Sequence, residues 1–365
     1  MRPWLVVLLA ASPAVLAAQA RPPAERARWR EVEQVLKPLV ESYGVSGMEG
    51  PVRETVARLL PPGLRPQTDS AGNLWLTLGS GEPTVVFVAH LDEIGFRVAG
   101  IRDDGSLDLA PVGGLFPSLW EAKPALVHTG GTPIPGVFMP RDSGTAELRR
   151  TPPSLRAGVG TTSRAATEAL GIRLGHTLTM PKELVRLAGS RATGRSLDDR
   201  VGSAAQVLAV RRLNEDRLRH TVIFLWSTRE EIGLEGARAA ANALGLRTAR
   251  VHAIDTFVTA DSPLEPQNFG VAPLGRGAVA RAVDNSSVTP PAHLDSLVAL
   301  ARAAGVPLQV GTTNGGNDGS AFEPYGVPDV PIGWPLRYSH SPVETMDLRD
   351  AAALADMIVA VAERW

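Results

Sequence analysis

The chain reads as an α/β protein: a mixed, mostly parallel sheet sandwiched by helices and interrupted by a small inserted β-domain. Three observations predict this. Short, continuous apolar runs at residues 84–89 and 222–227 have the length of strands buried on both faces. Stretches with helical apolar spacing alternate with such runs toward both ends of the chain. Between about residues 99 and 190, glycine and proline become frequent and apolar runs shorten, the pattern of a compact β module.

Each element follows in order. Residues 24–43 carry Trp29, Val32, Val35, Leu36 and Leu39 at helical spacing, and Ser46-Gly-Met-Glu-Gly50 breaks that helix. Pro51 suits the first turn of a second helix, which Pro61-Pro-Gly63 stops. Residues 73–78 and 84–89 read as strands. In the inserted stretch the short runs are 125–128, 136–139 and 178–180, and only 163–170 has helical periodicity. Regular alternation then resumes: helix 199–213, strand 221–227, helix 233–244, strand 251–254, helix 293–304, strand 307–310 and a closing helix 350–363. The domain reading is a larger unit of 21–98 plus 191–365 and an inserted unit of 99–190.

Bulk properties exclude several classes. Of 365 residues, 44% are hydrophobic and 21% charged, which is ordinary globular composition. The 37 basic and 38 acidic residues nearly cancel, so there is no electrostatic reason to expect nucleic acid as partner. With no cysteine, disulfides, thiol catalysis and cysteine-ligated zinc are excluded, and any metal is held by nitrogen and oxygen. Met1-Arg-Pro, an apolar stretch too short to span a bilayer, and Ala17-Ala-Gln-Ala20 read as a cleavable signal peptide over residues 1–20. The expected location is therefore secreted or periplasmic, with no membrane span left after cleavage.

Six residues spread over 250 positions read as one two-metal site: His90, Asp198, Glu230, Glu231, Asp255 and His340. His90, Glu230, Glu231 and Asp255 fall just beyond strand cores, where ligand sites of open α/β sheets gather. Singly each has a plain structural reading: a packed histidine, an acidic helix cap, an acidic first turn. Jointly they suit zinc or a related divalent ion. The remaining histidines lack this acidic setting; His252 reads as packed within a strand, and His220 as solvated. Asp92, two residues beyond His90, is close enough to accept the imidazole's second N–H and fix the ring.

The chain resembles the glutamyl/deblocking aminopeptidase family of co-catalytic metallopeptidases. That family includes the tetrahedral aminopeptidases and some members labelled endoglucanases. The resemblance rests on Ala89-His-Leu-Asp-Glu-Ile-Gly-Phe96, Leu197-Asp-Asp-Arg-Val-Gly202, Glu230-Glu-Ile-Gly-Leu-Glu-Gly236, Ala253-Ile-Asp255, Gly315-Gly-Asn-Asp-Gly319 and Arg337-Tyr-Ser-His-Ser-Pro-Val-Glu344. It runs from about residue 28 to the C-terminus, and its motifs are specific jointly.

The resemblance implies the zinc-peptidase fold and two divalent ions, zinc first, with cobalt or manganese also fitting. His90 would bind one ion and His340 the other. Asp198 would bridge them, with a cis bond to Asp199, and Glu231 and Asp255 would complete the separate spheres. Glu230 would not ligate but would act as general base. Asp199, Asp318 and Arg337 would support from behind the ligands or position substrate. The implied partners are peptide substrates and further copies of the chain, with the inserted unit serving oligomer contacts and substrate access. The rival readings are a carboxypeptidase or N-acyl amidohydrolase on the same fold, a catalytically silent binding protein, and a glycoside hydrolase. The last would leave His90 and His340 without a purpose.

Overall fold

In the computed structural model, residues 23–142, 144–150 and 153–365 are described. The leader stretch 1–20 lies outside them. Five strands form the main sheet in the order Gln67–Thr68, Leu74–Leu78, Thr221–Ser227, Thr84–His90, Thr248–Ala253. The last three run parallel to one another, and the first two are antiparallel edge additions. All seven residues of Thr84–His90 are buried, as a central strand covered on both faces requires.

Alternation along the strands sorts side chains between two helical layers. Val85, Phe87, Ala89, Val222, Phe224 and Trp226 join a core with helices Pro23–Glu41, Leu197–Arg212 and Leu348–Arg364. Val86, Val88, Ile223, Leu225, Val251 and Ala253 face helix Glu235–Leu244 and the 3-10 segment Asp318–Tyr325. Each fully buried aliphatic or aromatic side chain contributes roughly 1.5–3 kcal/mol of transfer free energy. Among the described residues no helix is long and apolar enough to cross a membrane.

Two parts differ from the expected elements. Leu308–Thr312 lies not in the main sheet but beside Ala278–Val283 in a separate three-stranded sheet completed by Ile332–Gly333. Strand 278–283 is invisible to apolar periodicity because a buried arginine, Arg281, sits within it. His220, expected to be solvated, is only 6% exposed.

Strands Gly95–Ile101, Leu107–Val112, Arg156–Gly158, Ile134–Phe138, Pro124–His128 and Thr177–Thr179 close into a six-stranded barrel in that spatial order. Its first strand starts at Gly95, four residues inside the stretch read from sequence as part of the larger unit. The barrel has its own core. Trp120 packs edge-on against Phe96 and Phe138, with ring centroids 5.2 and 5.4 Å away.

Candidate metal centre

The parallel register brings the site together. His90 ends its strand directly opposite Ser227, and Ala253 pairs with Val88. The residues just beyond these three strand ends therefore face one crevice, the usual ligand position in such sheets. A cleft of about 510 Å³ opens there, and His90, Asp198, Glu230, Glu231, Asp255 and His340 all line it.

Asp198 lies between the two imidazoles. Its Oδ1 is 3.2 Å from His90 Nε2, and its Oδ2 is 3.7 Å from His340 Nε2. Ligand atoms of His90, Asp198 and Asp255 all lie within 4.8 Å of one another. On the opposite side, Glu231 Oε2 is 3.4 Å from His340 Nε2. Glu230 Oε2 stands 3.9 Å from His90 Nε2. The implied ligand set thus falls into two groups sharing one carboxylate.

These residues fit a cation on two grounds. His340 Nδ1 is hydrogen-bonded to the Gly114 carbonyl, which can only accept, so Nδ1 carries the proton. In the neutral ring, Nε2 then presents a lone pair to two carboxylates, an arrangement of acceptors that a positive ion between them resolves. The second ground is crowding of acids. Burial, reinforced by the neighbouring carboxylates, holds Glu230 and Glu231 well above the usual range and pushes Asp255 up to about 6. Burial opposes charging of His90, but the carboxylates of Asp198 and Asp92 outweigh it and raise its pKa well above the ordinary value.

The backbone around the ligands is irregular and pinned. The Asp198–Asp199 bond is cis, as the resemblance implied. Ser196, Arg229 and His340 adopt left-handed conformations with φ of 65°, 54° and 59°. Each such non-glycine residue costs about 1–3 kcal/mol and persists only where the surroundings enforce it. Buried acids enforce it here. Glu49 Oε1 accepts from Arg229 N at 3.1 Å. Glu344 accepts from Leu197 N at 2.6 Å and Asp198 N at 3.3 Å with one oxygen, and from His340 N at 2.9 Å with the other. One carboxylate thereby holds the backbone of both Asp198 and His340. Burial beside Asp198 pushes it up to about 8. Regular helix begins only at Arg200, because Asp198 and Asp199 have non-helical dihedrals. Gly202 is required by close approach: a Cβ there would sit 2.2 Å from Asp199 Oδ1 and 2.5 Å from the Ile254 carbonyl.

The supporting residues divide clearly. Asp92 Oδ1 accepts from Glu230 N at 3.0 Å. Its Oδ2 accepts from Glu231 N at 3.2 Å and Ser46 Oγ at 2.6 Å, and His90 Nδ1 is 3.4 Å from Oδ1. It therefore orients a histidine and both glutamates together. Burial works against its charge, but the His90 contacts and these donors win, and its pKa lies below the ordinary value. Asp199 does not face the cleft; its carboxylate accepts from His90 N at 2.8 Å and Gly202 N at 3.1 Å. Asp318 accepts from Ser227 Oγ, Ser227 being the in-register neighbour of His90, and burial pushes the Asp318 carboxyl up to about 7. Arg337 does not line the cleft. It pairs with Asp261, with Nε 3.0 Å from Oδ2, while its backbone pairs with Thr345 on the far side of the His340 loop.

Sequence reasoning missed four contributors, Glu49 among them. Glu344 lay inside a quoted motif, and its position four residues beyond His340 was the available signal. Arg281, whose Nη1 is 3.5 Å from Asp255 Oδ2, had no signal, since its strand was not recognised. Gly114 comes from the barrel, and nothing in the local sequence connects it to His340.

A model of the M42 glutamyl aminopeptidases matches residues 72–357. The chain belongs to the M42 glutamyl aminopeptidase family. As an M42 peptidase it is a metal-dependent hydrolase of peptides. It is 30% identical to a glutamyl aminopeptidase of Lactococcus lactis over 85% of this chain and 90% of the relative. It is also 30% identical to a lysyl aminopeptidase of Pyrococcus furiosus, over 87% and 92% respectively. Among solved structures, the TET1 peptidase of Pyrococcus horikoshii, described as assembling into a tetrahedron or a large octahedral shell, superposes with a TM-score of 0.83. It is 31% identical, covering 92% of this chain and all (100%) of that one. A Thermotoga maritima protein described as an endoglucanase, 24% identical with a TM-score of 0.72 over 90% of this chain and 96% of that one, shares the fold.

Proposed function

We propose that this M42 peptidase removes N-terminal residues from peptides, using two divalent ions shared across Asp198. Zinc suits the nitrogen and oxygen donors best, and cobalt or manganese also fit them. The observation that carries the reading is the division of Asp198, Oδ1 toward His90 and Oδ2 toward His340. His90 and Asp255 would hold one ion, and His340 and Glu231 the other. Ions bound there supply Lewis acidity and a water acidic enough to ionise near neutral pH.

The chain's own residues do the rest. Glu230 takes the proton from the water at its carboxylate and returns it to the departing amine. Asp92 fixes the peptide that joins Glu230 to Glu231, so that one side chain serves as base and its neighbour as ligand. The acidic lining suits a free α-ammonium group, which favours attack at the N-terminus over an N-acylated or internal position. The barrel loop at Gly114 holds the His340 ring, and the same loop lines the cleft, supporting a role for the inserted unit in substrate access.

Two further parts of the reading rest on other support. The assembly described for the P. horikoshii relative supports a homo-oligomer here. The leader-like residues 1–20 support export, which N-terminal sequencing of the mature protein tests.

Digestion of a peptide library by metal-reconstituted protein, read by mass spectrometry beside elemental analysis, tests the function. Stepwise loss of N-terminal residues with two ions per chain is expected. Internal cleavage, a C-terminal ladder, or a single ion at full activity would sink it.

A further inference from the structure

The cleft lining holds more than the proposed metal ligands, and the additional residues carry charge of their own. Leu115, Phe116, Val258 and Leu264 give it apolar sides. Glu265 also lines it. Its side-chain partner among the described residues is a neutral amide, with Asn314 Nδ2 donating to Oε2 at 3.3 Å. Arg281 lines the cleft as well; its Nε and Nη1 have no hydrogen-bond partner among the described residues, but two neighbouring carboxylates neutralise its charge. It is 2% exposed, with Nη2 3.1 Å from Asp284 Oδ2 and 2.9 Å from the Gly316 carbonyl, and with Nη1 3.5 Å from Asp255. If Asp255 turns to a metal, Asp284 still neutralises the guanidinium.

We infer that Glu265 selects the side chain of the residue removed, and that this protein prefers a basic N-terminal residue, lysine or arginine. The inference rests on the aminopeptidase reading above. A long aliphatic stem packs along Leu115, Phe116, Val258 and Leu264 while its cationic head reaches the carboxylate, the way amphipathic side chains divide between apolar and polar surroundings. An acidic side chain in the same place meets like charge. The two curated relatives described above carry opposite names, glutamyl and lysyl, so family membership alone does not decide the preference.

The test compares metal-loaded wild type with Glu265→Gln and Glu265→Lys on the p-nitroanilides of Lys, Arg, Leu and Glu. A charge-assisted hydrogen bond gained or lost predicts a lysine-to-glutamate preference of roughly tenfold or more in kcat/KM for wild type. Glu265→Gln should lower the Lys/Leu ratio, chiefly through KM, and Glu265→Lys should shift preference toward Glu. Calorimetric titration with lysinamide, weaker for Glu265→Gln than for wild type, reads the same contact without turnover. Cleavage of Leu-anilide with Lys/Leu unchanged in Glu265→Gln, or a wild-type preference for Glu, would overturn the inference. Failure to cleave any of the four would instead overturn the aminopeptidase reading, and lysinamide binding would then still decide the role of Glu265.

Discussion

Replacing Asp92 with asparagine is the most informative single perturbation of the centre. The carboxylate is fully buried (0% exposed) and both its oxygens are used. Oδ1 faces Glu230 N and His90 Nδ1, and Oδ2 faces Glu231 N and Ser46 Oγ. Asparagine has one acceptor oxygen and one NH2 group. Its better orientation puts the NH2 at the Oδ2 position, where the Ser46 hydroxyl can rotate to accept. The Glu231 N–H is then left facing a donor. A buried donor without an acceptor costs about 1–3 kcal/mol, and His90 loses its charged neighbour as well. At about 1.4 kcal/mol per factor of ten this amounts to roughly 10–100-fold, the range seen when residues supporting metal ligands are altered. Two assays apply: metal affinity by competition with a chromogenic chelator, and kcat/KM on an aminoacyl anilide, both on protein whose circular dichroism matches wild type. Both should fall by that factor. If both stay within about twofold of wild type, the argument that Asp92 sets ring and loop together is wrong.

Other outcomes follow from the same geometry. Glu230→Gln should cut kcat by about 10²–10⁴ while metal content stays near wild type, because the proposed role of the side chain is to move a proton and not to ligate; loss of both ions in elemental analysis would contradict that role. Asp198→Ala should lose or scramble both ions, since each Asp198 oxygen faces a different histidine; two retained ions with normal activity would refute the bridge. Asp350 lies away from the centre and accepts from Gly275 N at 2.6 Å and Gly277 N at 2.7 Å, and burial pushes it up to about 7. The folded state therefore binds its proton more tightly than the unfolded chain, so its stabilising effect is complete below about pH 4 and lost as pH rises through 7. Asp350→Asn should flatten the fall in denaturant-derived stability between pH 4 and 7 by roughly 2–4 kcal/mol; an unchanged slope would show that the group does not titrate in that window.

Legibility in the sequence tracked the kind of physics involved. Thr84–His90 and Thr221–Ser227 were readable because strands buried on both faces leave unbroken apolar runs. Helix Glu235–Leu244 was readable because it packs on one face. Ala278–Val283 was not, since its buried Arg281 is satisfied by Asp255 and Asp284, and apolar periodicity cannot register a paired charge. The six acidic and imidazole residues of the centre could be picked out because each combined an unusual residue type with a strand end or loop. Glu344 and Glu49 escaped because they act on backbone N–H groups, and for Glu344 the one signal was its place four residues beyond His340 in a recognised motif.

The sequence by itself determined the chemistry available: nitrogen and oxygen donors without thiols, a strand-end set of acids around two imidazoles, and a helix-and-strand alternation that buries one sheet. Only the tertiary structure decided how those donors divide. Parallel register sets His90 beside the loops of Glu230 and Asp255, Glu344 ties the Asp198 and His340 loops together, and a carbonyl from the barrel fixes the His340 tautomer. Local sequence can encode a side chain's chemistry, but its direction comes from backbone contacts made across the chain, and those exist only once the sheet and barrel have packed.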